Sequence, residues 1–236
     1  MDRSYLVLDI ETVTDSALPR EQAVEGSGLP PPPFHEIVVI GLMWLDADYR
    51  IQRLGVVGDG KGEAQMLRDL CRFVGERKPE LVTYNGRGFD LPVIAMRCLR
   101  HGVPFEHYYG SRDVRYRYSP AGHLDLMDYL TDFGASKASK LDVVCRLVGM
   151  PGKVGVEGKD VGPMVHAGRL GEVQAYCLCD VVQTAGLFLR VQLLRGELGR
   201  EGYLAAMREL IARIAEDERL APVATAMDRA ALLLEA

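Results

Sequence analysis

The stretch that most constrains the fold is residues 6–12, where a run of β-forming residues ends by presenting two carboxylates. Side chains alternate along a strand, so Asp9 and Glu11 point to one face while Leu8 and Ile10 point to the other. Two like charges one pleat apart repel each other, and a strand built only for stability gains nothing from them. A hard divalent cation, by contrast, needs carboxylate oxygens gathered on a rigid support. The alternative is that both acids lie past the end of the strand and face water.

Length and composition are those of a globular protein. The chain has 236 residues, of which 48% are hydrophobic and 26% charged, enough for one large domain or two small ones. We find no apolar run near the roughly 20 residues that a membrane span requires, and no signal peptide, so we expect a cytoplasmic protein. The net charge of −5 argues against a general nucleic-acid-binding surface. It does not exclude an enzyme that acts on nucleic acid, because acids clustered at a metal site lower the total.

The cysteines are odd in number, and four of the five fall on apolar faces of predicted helices, which indicates reduced thiols in the core. Cys177 and Cys179 are spaced as a possible pair of metal ligands. Residues two apart on a helix point to different faces, however, and no second Cys/His pair matches them. We therefore discount a zinc site.

Hydrophobic periodicity predicts the order of the remaining elements. The predicted strands are 36–46, 50–57, 81–84 and 123–126, and the first two of these pair as a hairpin. The predicted helices are 63–78, one opened by Phe89-Asp90-Leu91-Pro92, 140–148 with Ser139 as its N-cap, 172–194, 200–219 and a short one after Pro222. Residues 153–171 are predicted to be irregular. Residues 13–34 are predicted to form a surface loop, with Pro30–Pro33 as its stiff end.

Three later acids have the same structural logic as the first pair. Asp90 follows a predicted strand and opens a helix, so it can be an ordinary N-cap, a third carboxylate beside the first two, or both. Tyr176 and Asp180 lie one turn apart on the longest predicted helix. A buried acid beside a phenol is costly without a charge partner, so either both are exposed or both face a cation. Asp125 is a secondary candidate with a structural role.

Residues 108–118 alternate tyrosine and arginine within a short stretch. Such interleaving suits single-stranded nucleic acid, because aromatic rings stack on bases and arginine reaches phosphates. An exposed strand with its polar face outward would have the same pattern, so the two interpretations stay open.

Four acids and a tyrosine in this order resemble the 3'-5' exonucleases of the ribonuclease H-like superfamily, in the class named for those five residues (DEDDy). The motifs that carry the resemblance are Asp9-Ile10-Glu11-Thr12, Asn85 through Asp90, and Tyr176-x-x-x-Asp180. The sister subclass has a histidine five residues before the last acid, where this chain has Ala175.

Within that class the chain is most similar to predicted exonucleases related to the exonuclease domain of family B DNA polymerases. The matching residues are Tyr84-Asn85-Gly86, Phe89-Asp90-Leu91-Pro92, His123-Leu124-Asp125-Leu126, Gly149-Met150-Pro151-Gly152-Lys153, and Tyr176-Cys177 with Asp180. The resemblance implies an α/β, ribonuclease H-like mixed sheet of five to six strands, an antiparallel meander and then parallel strands, flanked by helices. It implies an exonuclease domain at 1–196, with C-terminal helices at 197–236 packed on the same domain. We expect a stand-alone exonuclease, because the residues after the last motif are too few for a polymerase domain.

The implied activity is metal-dependent 3'-5' hydrolysis of nucleic acid, most simply single-stranded DNA, to nucleoside monophosphates. Four converging carboxylates repel and raise one another's pKa unless cations neutralise them. Two Mg²⁺ or Mn²⁺ ions, about 3.5 to 4 Å apart, would do so and clamp an in-line attack on phosphorus. By resemblance, Asp9 bridges both ions, Glu11 and Asp180 complete the first, Asp90 serves the second largely through water, and Tyr176 orients the attacking water.

The resemblance also implies where substrate lies. Thr12, Asn85 and Phe89 would lie near the 3'-terminal nucleotide, and Lys153 is a weaker candidate for a phosphate contact. The sequence does not separate DNA from RNA, so an exoribonuclease stays open. A non-catalytic nucleic-acid-binding module that kept the fold is the second hypothesis. The four acids favour the enzyme, because a binding module has no need for a cluster that repels phosphate when empty.

Overall fold

Strand β1 (Tyr5–Thr14) is the centre of the sheet, because it pairs with an antiparallel strand on one side and a parallel strand on the other. The structure is a computed structural model that describes residues 3–18, 30–155 and 157–235. The other strands are β2 (His35–Leu45), β3 (Ile51–Val56), β4 (Glu80–Thr83) and β5 (His123–Asp125). The order across the sheet is β3-β2-β1-β4-β5. The first three strands are antiparallel and β4 and β5 run parallel to β1, which confirms the predicted mixed sheet.

Both faces of β1 are covered, and alternate residues enter two different hydrophobic clusters. Tyr5 and Val7 lie in one cluster, and Leu6, Leu8 and Ile10 lie in the other. This alternation is the expected consequence of strand geometry. Each fully buried aliphatic side chain stabilises the fold by roughly 1.5 to 3 kcal/mol, so the register of β1 is strongly specified.

Helices pack on both faces of the sheet. The helices are α1 (Glu63–Arg77), α2 (Asp90–His101), α3 (Glu106–Gly110), α4 (Arg112–Arg115), α5 (Leu126–Leu130), α6 (Leu141–Leu147), α7 (Gly158–His166), α8 (Leu170–Leu194), α9 (Arg200–Glu216), α10 (Ala221–Ala226) and α11 (Arg229–Leu232). The apolar residues of α1 and α2 share the cluster of Leu6 and Leu8. Those of α8 and α9 share the cluster of Tyr5 and Val7. The sheet is therefore a layer between two sets of helices.

Three local predictions are wrong, and one of the two open interpretations of residues 108–118 is excluded. Lys140, not Ser139, is the N-cap of α6, and no side chain caps that helix. Residues 153–171 are not irregular throughout, because they contain α7, whose start is fixed by a reciprocal capping box between Glu157 and Asp160. The stretch 108–118 is not a strand, because it falls in and around the short helices α3 and α4. The predicted loop over 13–34 begins later than expected, because β1 continues to Thr14.

The predicted proline-rich loop is described only in part. Residues 19–29, which include the predicted Gly26-Ser27-Gly28 turn, lie outside the described residues. Pro32–Phe34 form a short 3-10 turn that leads into β2. The carbonyl of Pro30 contacts the His35 ring, with 2.9 Å from the oxygen to Nε2.

Helix α8 is the one helix among the described residues that is long and apolar enough to cross a membrane by length and composition, with a mean hydropathy of 1.4 in its most apolar window. This corrects the sequence analysis, which found no apolar run near the length of a membrane span. Of that window, 78% is buried inside the protein, which is the burial of a core helix. Its apolar residues contact both β1 and β2, so α8 lies across the centre of the sheet.

The C-terminal helices continue the same core. Tyr203 and Met207 of α9 and Leu232 of α11 are fully buried in the cluster that also holds Tyr5 of β1. The Tyr203 hydroxyl donates a hydrogen bond to the Leu232 carbonyl at 2.7 Å. The division at residue 196 stays a prediction.

Candidate active site

The first two acids lie on the face of β1 that α8 covers. Asp9 and Glu11 follow Tyr5 and Val7 at alternate positions, and Cys177 of α8 contacts Asp9 directly. Glu11 is buried and Asp9 is partly exposed. The pairing of β1 with β2 shifts register between Glu11 and Thr12. Such a bulge re-aims the side chains around it and ends regular pairing, which separates the two acids from the residues that follow.

Asp90 reaches β1 from the start of α2. Its Oδ1 accepts a hydrogen bond from the Ile10 backbone N–H at 3.1 Å, so this carboxylate lies beside the strand between Asp9 and Glu11. The alternative interpretation of Asp90 as an N-cap is wrong. Phe89 is the N-cap of α2, no side chain caps it, and Asp90 is the first helical residue. The structure therefore supports the other interpretation, in which Asp90 is a third carboxylate beside Asp9 and Glu11.

The turn that delivers Asp90 is held by Asp125 at the end of β5. Its carboxylate accepts hydrogen bonds from the backbone N–H groups of Asn85 at 2.9 Å and Arg87 at 2.8 Å. It also accepts from the N–H of Met127, at the start of α5. Asn85 has a positive φ of 65°, which suits asparagine in a tight turn. Asp125 therefore has the structural role that the sequence indicates, since its oxygens accept hydrogen bonds from backbone N–H groups.

Asp180 and Tyr176 come from α8, one helical turn apart. Asp180 is partly exposed, and its carboxylate interacts with both the Tyr176 hydroxyl and the Lys153 ammonium, each of which lowers its pKa. The negative charge of Asp180 in turn raises the pKa of Glu11 and of Asp9. The structure thus brings Tyr176 and Asp180 to the acids of β1, from the other end of the sequence.

Burial raises the pKa of every acid in the site, and repulsion by neighbouring carboxylates adds to it. For Asp9 the causes are burial first, then the negative charges of Asp90, Glu11 and Asp180. Burial first, and then the charges of Asp180 and Asp90, raise the pKa of Glu11. Burial raises the pKa of Asp90 to about 7 and that of Asp180 to about 6. The four carboxyls therefore cannot all be ionised at low energy without a compensating positive charge.

A second acidic cluster, formed by Asp15 and Glu63, differs from the first because an arginine neutralises it. Asp15 and Glu63 are both buried, and Arg97 lies between them with two hydrogen bonds to Glu63 at 2.6 and 2.7 Å and an ion pair to Asp15. Burial raises the pKa values of Asp15 and Glu63, but the contacts with Arg97 outweigh it and both are lowered overall. Among the described residues, no lysine or arginine forms an ion pair with Asp9, Glu11, Asp90 or Asp180.

The donor set of the site fits hard divalent cations. Ligand atoms of Asp9, Glu11 and Cys177 lie within 4.8 Å of one another. Carboxylate oxygens, which four acids supply here, are the ligands that Mg²⁺ and Mn²⁺ prefer. Burial first, and then the charge of Asp9, raise the pKa of the Cys177 thiol well above its ordinary value. We therefore assign the metal-binding role to the oxygens and treat the thiol as their hydrogen-bond donor.

The four predicted substrate residues differ in exposure, and their placement against substrate stays a prediction. Thr12 is partly exposed and its Oγ1 lies 2.9 Å from Nδ1 of His35. Phe89 is partly exposed and packs against the edge of the same His35 ring, with 5.0 Å between ring centroids. Asn85 is partly exposed in the turn before Asp90. Lys153 is exposed, with its Nζ 3.7 Å from a Glu157 carboxylate oxygen.

Sequence analysis missed two residues of the site. Cys177 donates a hydrogen bond from its thiol to Asp9 Oδ2 at 3.3 Å, and it was considered only as a zinc ligand. Gly41 lies opposite Asp9 on β2, where a Cβ would come within 2.7 Å of Cys177 Sγ and 3.0 Å of Val181. The absence of a side chain at Gly41 lets α8 approach the sheet and bring Asp180 to Asp9. The signal was available, because a glycine inside an otherwise apolar strand indicates close approach of another element.

The fold and the site together define a class. A mixed sheet in the order β3-β2-β1-β4-β5 carries acids on its central strand, and helices that flank it supply the remaining acids. This is the ribonuclease H-like α/β architecture that the motifs imply. A sequence model for predicted 3'-5' exonucleases related to the exonuclease domain of PolB matches residues 28–227. The chain belongs to this family. The match contains Asp90, Tyr176 and Asp180, whereas Asp9 and Glu11 precede it.

Solved structures with a similar fold include several forms of exonuclease I. Escherichia coli exonuclease I in complex with a 5cy-dT13 oligonucleotide is 14% identical, with a TM-score of 0.40 over 90% of this chain and 45% of that one. Exonuclease I in its apo form is 14% identical, with a TM-score of 0.38 over 90% and 47%. The zinc-bound E. coli ExoI–ssDNA complex is 14% identical, with a TM-score of 0.34 over 78% and 43%. This chain thus spans less than half the length of these structures. No curated protein matches it.

We expect the metal-free protein to lose stability as the pH rises from about 4 to about 7. The folded pKa values of Asp90 and Asp180, about 7 and about 6, exceed the ordinary value of 3.8, so the folded state holds protons that the unfolded state releases. These carboxyls, with Asp9 and Glu11, therefore lower the free energy of unfolding as the pH rises through this window, and we expect the four of them to outweigh His107 and His123, whose lowered pKa values act in the opposite direction. Thermal melts in EDTA at about pH 5 and about pH 7 measure it.

The control for this pH dependence is Asp180→Asn, which removes one of the titrating groups and should flatten the slope. Added Mg²⁺ should raise the melting temperature more at the higher pH, since the ligands are then ionised. Asp15 and Glu63 do not interfere, because their lowered pKa values move their contribution below the window. Equal slopes in wild type and Asp180→Asn would contradict the assignment.

Proposed function

We propose that this protein is a metal-dependent 3'-5' exonuclease of the DEDDy class that hydrolyses single-stranded DNA to nucleoside monophosphates. The observation that carries the proposal is the convergence of four carboxylates, none of which forms an ion pair with a lysine or arginine of the described residues. They come from β1, the start of α2 and the middle of α8. Membership of the family of predicted 3'-5' exonucleases supports the same activity.

Asp9, Glu11, Asp90 and Asp180 would hold two Mg²⁺ or Mn²⁺ ions. When bound, such ions polarise the scissile phosphate, generate a nucleophile from water and stabilise the charge that develops on the leaving oxygen. The chain contributes the rigid support. Asp9 and Glu11 are fixed by a central strand buried on both faces, and Asp90 by its hydrogen bond from the Ile10 N–H.

Tyr176 acts as a neutral group that positions water. Burial, and then the charge of Asp180, raise the pKa of its phenol far above the ordinary value, so the hydroxyl stays protonated at neutral pH. A protonated phenol donates one hydrogen bond and accepts others, but it does not take a proton as a base. Its place one turn from Asp180 lets it orient a water next to a ligand carboxylate.

The terminal nucleotide would dock between the end of β1 and the start of α2. Phe89 offers a partly exposed ring for a base, and Thr12 and Asn85 offer polar groups for the sugar. Lys153, whose charge acts on Asp180, would contact a phosphate. A free 3'-hydroxyl is then preferred, because a 3'-phosphate would add negative charge beside the acids.

The test is digestion of end-labelled single-stranded DNA, duplex DNA and RNA with Mg²⁺, Mn²⁺ or EDTA. We expect stepwise loss of mononucleotides from the 3' end of single-stranded DNA with either metal and none in EDTA. A 3'-phosphate should block it. Products released from the 5' end, or cuts in circular single strands, would contradict the proposal, and preferred hydrolysis of RNA would reassign the substrate.

We expect Tyr176→Phe to lower turnover and leave metal affinity nearly intact. The substitution keeps the ring and the packing of α8 but removes the hydroxyl that positions water. Positioning and proton-handling groups typically contribute about 10² to 10⁴-fold, so kcat should fall within or somewhat below that range. Single-turnover digestion measures the rate, and calorimetric titration with Mn²⁺ measures the affinity.

The matched comparison for Tyr176→Phe is Asp180→Asn, one helical turn away, which should lose both metal affinity and rate. A Tyr176→Phe protein as fast as wild type would remove the tyrosine from the mechanism. Loss of metal equal to that of Asp180→Asn would make the hydroxyl a ligand.

A further inference from the structure

A cluster of exposed aromatic rings lies outside the acidic site, at the outer edge of the sheet beyond β5. Tyr109, Tyr116 and Tyr118 are 55%, 48% and 58% exposed. The rings of Tyr116 and Tyr118 meet edge to face at 5.8 Å, and Tyr118 meets Phe133 at 5.1 Å. Single exposed aromatic residues are ordinary, whereas a contiguous exposed row indicates a binding surface.

Two arginines lie over these rings without carboxylate partners. The guanidinium of Arg112 is 5.5 Å from the Tyr116 ring centroid, and that of Arg115 is 5.1 Å from the Tyr109 ring centroid. Neither forms an ion pair with an acid of the described chain. A guanidinium stacked on a ring keeps N–H donors free toward solvent, so each arginine can still contact a phosphate. We call Tyr109, Arg112, Arg115, Tyr116, Tyr118 and Phe133 the tyrosine–arginine surface.

The tyrosine–arginine surface is fixed rigidly to the turn that carries Asp90. The Arg87 guanidinium donates hydrogen bonds to the carbonyls of Val114 at 3.2 Å, Arg115 at 3.3 Å and Tyr116 at 3.4 Å. Arg87 lies between Asn85 and Asp90 in the chain, and its backbone N–H is bound by Asp125. Val114 of α4 is fully buried and packs into the hydrophobic cluster that also holds Leu6 and Leu8. The surface is thus attached to the same turn that positions Asp90.

We propose that the tyrosine–arginine surface binds the single-stranded DNA that lies upstream of the 3' end being hydrolysed. The inference rests on the proposed function. Rings that stack on any base, with arginines that reach phosphates, match a strand that must be held without regard to sequence. The exposed strand that the same residues also suggested is absent, since they form α3, α4 and the turn after them.

The charge around the surface predicts how it binds. Glu106 and Asp113 lie in the same stretch, and Arg117 is neutralised by two hydrogen bonds to Asp128 at 2.8 and 2.9 Å. Two free arginines therefore remain, and stacking carries most of the affinity. Two phosphate contacts on single-stranded DNA give a slope of about −1.4 for the logarithm of the binding constant against that of the salt concentration.

The experiment compares a long and a short strand. Fluorescence anisotropy with 5'-labelled oligothymidylates of about twenty and about four nucleotides, in Ca²⁺, measures affinity, and hydrolysis of the short strand in Mg²⁺ measures the acidic site. We expect Tyr116→Ala/Tyr118→Ala to weaken binding of the long strand by about 30-fold or more, since each of the two lost stacks contributes about 1 to 3 kcal/mol. Binding and hydrolysis of the short strand should stay within about twofold of wild type.

Matched variants keep the test specific. Tyr116→Phe/Tyr118→Phe retains both rings and should bind like wild type. Arg112→Ala/Arg115→Ala should reduce the salt slope, whereas Arg68→Ala/Arg72→Ala on α1 should leave it unchanged. Equal affinity of wild type and the double alanine variant for the long strand would overturn the inference, as would an equal loss on both strands. If the wild-type protein bound the long strand through these rings but hydrolysed neither strand, the binding surface would stand and the proposed function would be wrong.

Discussion

We expect Asp9→Ala to abolish nuclease activity while the protein stays folded. Asp9 lies at the centre of the carboxylate cluster, where the charges of Asp90, Glu11 and Asp180 all act on it. Two bound ions supply several kcal/mol of transition-state stabilisation, and about 4 kcal/mol corresponds to about a thousandfold in rate. The loss should be at least that large. Single-turnover digestion of end-labelled DNA measures it.

The stability of Asp9→Ala should move in the opposite direction. Removing one of several buried like charges relieves repulsion, so the melting temperature in EDTA should equal or exceed that of wild type. Stabilisation by added Mn²⁺ should largely disappear. Asp48→Ala is the matched control, because this acid is exposed in the turn after β2 and should leave rate and metal binding unchanged. Near-normal turnover of Asp9→Ala would falsify the metal assignment.

We expect Arg97→Ala to lower the free energy of unfolding by about 3 to 5 kcal/mol, because it removes the buried cation that two carboxylates share and leaves them only the more exposed Arg100 and His101. Arg97 is 2% exposed, and its guanidinium contacts both Asp15 and Glu63. These acids also accept backbone hydrogen bonds, Asp15 from Ala17 at 2.8 Å and Glu63 from Ile37 at 2.7 Å. The end of β1, the start of β2, α1 and α2 therefore share this arginine. Urea unfolding at neutral pH measures the loss.

Arg100→Ala is the matched control for Arg97→Ala. Arg100 contacts the same Asp15 at 2.8 Å, but its side chain is 39% exposed. An exposed pair contributes about 0.2 to 1 kcal/mol, so this variant should lose much less. Equal losses for the two variants would mean that burial of Arg97 does not set the energy of the cluster.

Much of the fold could be predicted because its signals are local and periodic. The apolar runs of β1 and β2 could only be strands buried on both faces, and the helical period of α1 is unambiguous. The errors occur where neighbouring elements decide. Residues 108–118 carry an alternating pattern, yet Val114 is buried under the rest of the stretch and the backbone is held by Arg87. No periodicity encodes such a tertiary contact.

The candidate site was predictable for a different reason. Carboxylates that cost stability stand out against an apolar strand or helix, and Asp9, Glu11, Asp90 and Asp180 do lie together in the structure. Their roles as ligands stay a prediction. What the sequence alone could not reveal is how the site is held together. The thiol of Cys177 on Asp9 and the missing side chain of Gly41 act between elements more than a hundred residues apart, and the glycine in β2 indicates close approach of another element without indicating that this element is α8.

The position of Asp180 on α8 has a consequence for synthesis of the protein. Chains grow from the N-terminus, so β1 with Asp9 and Glu11 leaves the ribosome long before α8 does. Until then the nascent protein has three of its four acids but lacks the helix that covers them and carries the last one. Under the proposed function, a growing chain lacks the complete set of metal ligands, and we expect it to hydrolyse nucleic acid only after α8 has closed the core.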